Sequence, residues 1–329
     1  MNIHHLRAIC EVVNQGLKIS TAATSLHKSQ PGISRQVREI EEELGIKIFQ
    51  RKRNKIEVLT PPGREILRVA ERVLRDIDSL RLIGKEYSKQ DTGDLTIATT
   101  HTQARYSLPD VVQKFMARFP NVRLTLRQGN PVQCCELVAA GAADIAISTE
   151  IPAVPEELVC LPAYRLTRCI LARRGHPILR TRKLTLQALA KYPVITFDTA
   201  FSGRLVVNEA FASADIVPRV LLSAVDADVS KAYVERGMGI AILASVAFDP
   251  AKDTQLALRD ASHLFKSSFL NVSIRRNAYL RGYMTAFVSA FAPHFTPAFL
   301  EKAAEGGDID MAQLRRAARS LTHHPAKNQ

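Results

Sequence analysis

Two groups of side chains in this 329-residue chain have types and spacings suited to chemistry. The first lies between residues 29 and 55. Gln30, Ser34, Arg35 and Arg38 share one side of a helical spacing whose other side is Ile33, Val37, Ile40 and Leu44. Arg and Gln can pair bidentately with guanine and adenine edges, and Ser is a general donor or acceptor. Just beyond them runs Arg51-Lys52-Arg53-Asn54-Lys55, a basic turn suited to phosphates, which position a protein without reading sequence. The second group offers hydroxyls and free amides with almost no bulky charge. Thr99, Thr100, Thr102 and Gln103 follow a strand-like run, and Thr149, Ser202-Gly203 and Asp226-Ala227 follow others. Such strand-to-helix junctions are where open α/β sheets bind ligands, and free N–H groups there favour an anion. A plain reading stands beside each group. Arg35 and Arg38 also suit a solvated helix face, and any single Thr or Ser also suits a helix cap.

The elements that must position the first group are three short helices and a hairpin. Ile3, Leu6, Ile9, Cys10 and Val13 recur at helical spacing, and Asn14-Gln15-Gly16 ends that helix. Ser20 is a cap for a second helix, with Ala22, Ala23 and Leu26 inward. Ser29 caps a third, with Pro31 in its first turn and Gly45 as its stop. Strand-like runs at 46–50 and 56–59 flank the basic turn. Glu39 and Glu41–Glu43, at the far end of the third helix, are expected to point away from a polyanion. Two helices with a tight connection and a basic hairpin describe a winged helix-turn-helix over residues 1–60.

Residues 61–90 read as one long helix starting after Thr60. Ile66, Ala70, Val73, Ile77 and Leu80 step by 4, 3, 4 and 3, the spacing of a coiled-coil dimer seam, with Arg64, Arg68, Arg72 and Arg75 beside it. An amphipathic helix packed on its own domain is the plainer alternative. After a hinge at Asp91-Thr92-Gly93, strand and helix patterns alternate in two sets, which predicts an α/β domain of parallel sheets over 91–300. Its first lobe is expected at about 93–163 and 267–300, its second at about 164–266, with the ligand junctions facing the cleft between them. Residues 301–329 read as a short helix and a frayed tail.

Composition narrows the function classes. The formal net charge is +13, of which residues 1–90 carry +6 in little over a quarter of the length. That density suits a polyanion partner, and equally a basic solvated surface. No apolar run reaches the roughly 18 residues of a membrane span, and no secretory leader pattern opens the chain. The five cysteines, Cys10, Cys134, Cys135, Cys160 and Cys169, follow no metal-ligand spacing and suit a reducing cytoplasm. Cys134-Cys135 reads as packing. His4-His5 and His323-His324 lack a second ligand pair. Ser202 lies in AFSGR, which is not a nucleophile elbow, and no base is assignable to it. No catalytic residue, metal or cofactor is therefore expected.

The run STAATSLHKSQPGISRQVREIEEELGIKIFQRKRNKIEVLTPPG resembles the N-terminal domain of LysR-type transcription regulators. IATTHTQARY, FSGR, DADV and RGMGIAIL are similar to the CysB subgroup of that family, so the resemblance spans residues 1 to about 300. It implies a DNA-binding regulator with a winged helix-turn-helix, a linker helix and a two-lobed, periplasmic-binding-protein-like effector domain. It implies contact with double-stranded promoter DNA through Ser29, Gln30, Pro31, Ser34, Arg35, Arg38, Arg51 and Arg53. It places an anionic effector of sulfur metabolism (sulfate, acetylserine or adenylyl sulfate class) on Thr100, Thr102, Gln103, Thr149, Ser202 and Ala227. It further implies an activator of sulfur-assimilation or cysteine-biosynthesis genes, homodimers assembling to homotetramers, RNA polymerase as a partner and no membrane. The subgroup pattern has Thr at position 202, where this chain has Ser, and ATE where this chain reads STE at Thr149. The hydroxyl is kept at 202, but the lost methyl leaves ligand identity open. A regulator of sulfonate use is the alternative within the family. A solute-binding protein explains the two lobes but not the basic head and rod, and an enzyme would need a nucleophile with a base, or a metal cluster.

Overall fold

In the computed structural model, which describes residues 1–53, 55–87 and 92–321, the chain divides into units Met1–Gln90 and Asp91–Gln329. The turn residue Asn54, the hinge residue Asp91, linker residues 88–90 and the tail beyond 321, with His323-His324, lie outside the described residues. Among those described, no helix is long and apolar enough to cross a membrane.

The first unit begins with α1 (Ile3–Asn14), capped by the Asn2 side chain. In α2 (Ile19–Ser25) the N-cap is Lys18, without a side-chain cap bond. Ser20 therefore sits inside the first turn and is not the expected cap. α3 (Gln30–Leu44) starts as its sequence predicts: Ser29 Oγ accepts the Gly32 N–H at 3.3 Å, Pro31 lies in the first turn, and Gly45 at φ 65° closes the helix. The hairpin β1 (Phe49–Lys52) and β2 (Lys55–Leu59) is antiparallel. It starts three residues later than the apolar run suggests, because Ile46 stays exposed and Ile48 and Phe49 enter the core. Arg51 and Lys52 consequently belong to β1, and only Arg53, at φ 49°, is in the turn as described.

α4 (Pro61–Tyr87) follows at once. Thr60 Oγ1 accepts the Gly63 N–H at 3.0 Å and donates to Lys47 O at 2.6 Å, so one hydroxyl caps the helix and ties it to the hairpin. A Cβ on Gly63 would overlap Ile48 O, so only glycine fits there. The unit's core joins Leu6, Ile9, Val12, Ile33, Val37 and Ile40 with Ile48, Phe49 and Ala70. This corrects the seam. Ala70 is 2% exposed, and Ile66 packs against the same core, so both face their own domain. Among the described side chains, α4 leaves Val69, Val73 and Leu80 outward, with Ile77 half-buried.

The second unit starts with β3 (Gly93–Thr99), α5 (His101–Tyr106), α6 (Pro109–Arg118), β4 (Val122–Gln128), α7 (Pro131–Ala139), β5 (Ile145–Thr149) and β6 (Leu158–Leu166). The chain then enters a second sheet through β7 (Arg168–Arg173), α8 (Leu186–Ala190), β8 (Val194–Phe197), α9 (Ser202–Ser213), β9 (Val220–Ala224), α10 (Ala227–Glu235), β10 (Ile240–Ala244) and β11 (Leu256–Asp260). It returns through β12 (Ser268–Arg275) and α11 (Gly282–Phe291). The sheet orders are β4-β3-β5-β12-β6 and β11-β7-β10-β8-β9. Both are mixed rather than parallel. β12 runs antiparallel to β5 and β6, and β7 runs antiparallel to β10 and β11. Sequence patterning misses β6, β11 and β12. Pro162 interrupts the β6 run and lies at the register shift opposite Leu270 and Asn271, where a missing N–H is tolerated. Residues 301–321 are also more ordered than expected. α12 (Pro297–Ala304) buries Leu300, Ala303 and Ala304 in the first-lobe core, and α13 (Met311–Ser320) leads to Leu321, whose carbonyl accepts the Arg165 N–H at 2.8 Å.

Candidate nucleic-acid interface and anion cleft

On α3, Gln30, Pro31, Arg35 and Arg38 are exposed and Ser34 is partly so, while Ile33, Val37 and Ile40 are fully buried on the opposite side. Arg35 Nε donates to Glu39 Oε1 at 2.7 Å and Arg38 Nε donates to Ser34 O at 3.3 Å. Glu39 thus shares the face of Arg35 and does not point away from it. That hydrogen bond holds the Glu39 carboxyl below its usual range. Glu41 differs more from expectation. It is 2% exposed, and its Oε1 accepts the Ile48 and Phe49 N–H groups at 2.9 and 3.0 Å. Its Oε2 lies 3.7 Å from both Lys47 Nζ and Arg51 Nη2. Arg51 therefore turns toward the helix, its Nη2 buried and without a hydrogen bond, whereas Arg53 stands exposed at the turn. Arg38, Lys47, Gln50 and Arg51 line one hollow of about 400 Å³ beside the hairpin. Lys47 is a basic wall that sequence reasoning missed, since it was read as part of a strand-like run and in the structure precedes β1.

In the second unit, Thr100, Thr102, Gln103 and Thr149 come together at the ends of β3 and β5. They line a cavity with about 40 Å³ of room for the centres of water-sized groups, within about 400 Å³ of empty space that includes its mouth. Thr100 is the N-cap position of α5, yet its hydroxyl makes no cap bond. Gln103 is 2% exposed, and its Oε1 accepts from Ser107 Oγ at 2.6 Å. The opposite wall comes from the second lobe and is mainly apolar, with Phe197, Phe201, Gly203 and Ala244. The exception is Arg168, 3% exposed, with Nη2 donating to Ser268 Oγ at 2.8 Å and Nη1 buried without a hydrogen-bond partner. Burial pushes this guanidinium down to about 10, so it remains charged at neutral pH.

Two expected ligand residues are placed differently. Ser202 lies at the first position of α9 and donates to Thr149 Oγ1 at 2.6 Å, so its hydroxyl bridges the lobes rather than lining the cavity. Ala227 is fully buried in the second-lobe core and is not a cavity wall; Asp226 caps its helix through the Val229 N–H. The expectation of a charge-free site is also corrected, because the first residue of β7 brings Arg168 into it. In sequence, Arg168 belonged to an apolar strand run and carried no signal. A second contact joins the lobes. The Tyr106 hydroxyl donates to Asp228 Oδ1, with Arg105 Nε 3.5 Å from Oδ2. Burial, reinforced by that carboxylate, holds the phenol above its usual range.

Residues 3–64 match the model for the bacterial regulatory helix-turn-helix protein, lysR family, and residues 88–296 match the LysR substrate binding domain. The chain belongs to the LysR family. It is a transcription regulator of the kind that binds DNA and a small-molecule effector, and not an enzyme. It is similar to the HTH-type transcriptional regulator CysB of Burkholderia cenocepacia, 44% identical over 93% of this chain and 98% of that one. The HTH-type transcriptional regulator SsuR of the same species is 43% identical over 86% and 92%. The crystal structure of the cofactor-binding domain of the Cbl transcriptional regulator superposes with a TM-score of 0.62 at 36% identity, over 65% of this chain and 93% of that one. These relatives place the chain in the CysB-like, sulfur-metabolism group that IATTHTQARY and its companion motifs resemble.

Proposed function

We propose that this LysR-type regulator activates sulfur-assimilation or cysteine-biosynthesis genes in the cytoplasm when a small anion of sulfur metabolism occupies the interlobe cavity. The observation that carries this reading is the cavity itself, where Thr100, Thr102, Gln103 and Thr149 of one lobe face buried Arg168 of the other. Uncharged donors and one guanidinium suit a single small oxyanion such as sulfate, or the carboxylate of an acetylated serine. Ser202 takes part by holding Thr149, and Ala227 by supporting α10. An effector that contacts both lobes binds one lobe arrangement better than another, and shifts the population by that difference alone. The head reads double-stranded promoter DNA through Ser29, Gln30, Pro31, Ser34, Arg35 and Arg38, with Arg53 and Lys47 on phosphates. Val69, Val73, Ile77 and Leu80 form the dimer seam of a homodimer that assembles to a homotetramer and engages RNA polymerase.

Gel retardation on promoter fragments, with sulfate, acetylserine and adenylyl sulfate added in turn, tests this reading. One of them is expected to change the affinity or the footprint. No change with any of them, at a fixed ionic strength, would sink it. A second reading, a regulator of sulfonate-use genes, is kept open because identities of 44% and 43% to CysB and SsuR do not rank the two. Promoter binding upstream of sulfonate-use genes alone would select it.

A further inference from the structure

We propose that Arg168 is a specificity-determining residue of the effector cavity, the fixed positive charge that makes the site select for negatively charged sulfur oxyanions over neutral molecules of the same shape. This rests on the cleft reading above and adds a residue and a rule of selection to it.

Three observations carry it. Arg168 is 97% buried by its 3% exposure, yet no ion pair of its side chain occurs among the described residues. Its Nη2 is spent on Ser268 Oγ, but Nη1 is buried with no hydrogen-bond partner. A buried guanidinium left in that state is costly, and an anion beside it removes the cost. Second, Arg168 is a lining residue of the same cavity as Thr100, Thr102 and Thr149. Gly203 packs beside the guanidinium, where an added Cβ would lie 3.5 Å from Nη2. Third, the remaining walls, Leu166, Phe197, Phe201 and Ala244, are apolar, which strengthens any charge interaction made between them. Glu150 acts on Arg168 only from beyond ion-pair distance, and its own Oε2 accepts the Phe269 N–H at 3.2 Å.

The position adds a consequence. Arg168 begins β7 in the second lobe, while Ser268 begins β12 in the first, so the Arg168–Ser268 bond sits where the chain crosses between lobes. A ligand charge that draws Nη1 toward Thr100 acts on that crossing directly. A purely structural Arg168 would tie the lobes without sensing ligand charge.

The test uses the full chain and three probes of similar tetrahedral shape: sulfate, methanesulfonate and neutral dimethyl sulfone, titrated calorimetrically at constant ionic strength. The wild type is expected to bind both anions at least tenfold more tightly than the sulfone. Arg168→Gln is expected to lose that preference, with sulfate weakened at least tenfold and the sulfone changed less than twofold. Arg168→Lys, which keeps the charge, is expected to retain preference for the anions. Equal sulfate affinity in wild type and Arg168→Gln overturns the proposal while leaving the cleft reading intact. Should Arg168→Gln fail to fold, the wild-type series decides: sulfone bound as tightly as sulfate overturns it. A wild type that binds none of the three overturns the cleft reading, and Arg168's role with it.

Discussion

The head and the interlobe cavity place their polar side chains in opposite ways. On α3 the residues proposed to read DNA are exposed, and a small apolar core behind them, Ile33, Val37, Ile40 and Phe49, fixes their direction. In the cleft the polar residues are themselves buried: Thr100, Thr102, Gln103 and Arg168 are each at most 9% exposed. A surface reader meets a polyanion in water and gains by direction and number of contacts. A buried site meets one small ion and gains because every donor is already desolvated and fixed. Loss of one exposed side chain should therefore weaken the head gradually. Loss of one interior polar group should remove a whole response.

The largest effect tests the head's one exception to its own rule. Glu41 is buried, and Glu41→Ala strands the Ile48 and Phe49 N–H groups and leaves Arg51 without its nearby carboxylate. We expect a loss of about 2–5 kcal/mol from head stability, with the hairpin lost first. Denaturant unfolding followed by operator retention checks this. The interlobe cavity should still bind its anion, and a parallel loss there would break the division between the two regions.

Arg35 and Arg53 sharpen the division within the head. Arg35→Ala should weaken specific operator binding by about 1–3 kcal/mol and relax base preference. Arg53→Ala should weaken all sequences evenly and lower the salt slope by about one unit. Binding isotherms over a salt series, on operator and scrambled DNA, separate the outcomes. Equal loss of sequence preference in both would end the assignment of reading to α3 and positioning to the hairpin turn.

The two regions were also unequally legible in the sequence. The head could be read because its signals are local. Ser29, Pro31 and Gly45 bracket one helix, and the apolar spacing between them fixes which side faces out. Its errors are local as well: Ser20 fell one residue inside its helix, and Arg51 was drawn to Glu41, ten residues back. The cavity gathers residues from several strand ends far apart in the chain, from Thr100 to Ala244, so sequence could mark only junctions. Thr100, Thr102, Gln103 and Thr149, marked at the junctions after β3 and at the end of β5, line one cavity. The Ser202 hydroxyl is instead paired with Thr149 Oγ1, a direction that depends on how one lobe meets the other, and the Ala227 side chain turns into the second-lobe core. Sequence reasoning missed Arg168, because a charged residue opening an apolar strand looks like a strand end. Two of the five seam positions, Ile66 and Ala70, are placed otherwise because local spacing is ambiguous. A 4-3-4-3 spacing is shared by a dimer interface and by a helix packed on its own core, and Ile66 and Ala70 do the second.

Thr100→Val probes the cleft with the smallest change of shape. It removes one hydroxyl from a buried wall and leaves the sequence of residues 1–60 unchanged. An unmade hydrogen bond to a charged ligand costs about 1.5–3 kcal/mol, roughly a tenfold to hundredfold loss of anion affinity. DNA binding without effector should be unchanged, and the response to effector should be lost at working concentrations. An unaltered effector titration would move the ligand away from the end of β3.

The smallest expected effect concerns the contact that joins the lobes without lining the cavity. Tyr106 ends α5, the same six-residue helix that carries Thr102 and Gln103, and its hydroxyl donates to Asp228 on α10. Tyr106→Phe keeps the ring and its packing, including the contact with Lys231 Nζ 4.7 Å from the ring centroid, and removes only the hydroxyl. Asp228 is partly exposed and keeps Arg105 and Lys231 nearby, so water and these cations cover most of the loss. The expected cost is about 0.5–1.5 kcal/mol, the net value of one hydrogen bond. Because the bond spans the lobes, the cost should fall on whichever arrangement contains it. If the anion-bound arrangement keeps this contact, anion affinity drops about two- to tenfold with no change in charge preference. If opening the contact accompanies binding, affinity rises by the same factor. Calorimetry with sulfate distinguishes the two by sign. An affinity within error of the wild type would mean that the contact is equally made in both states, and that α5 does not transmit occupancy to α10.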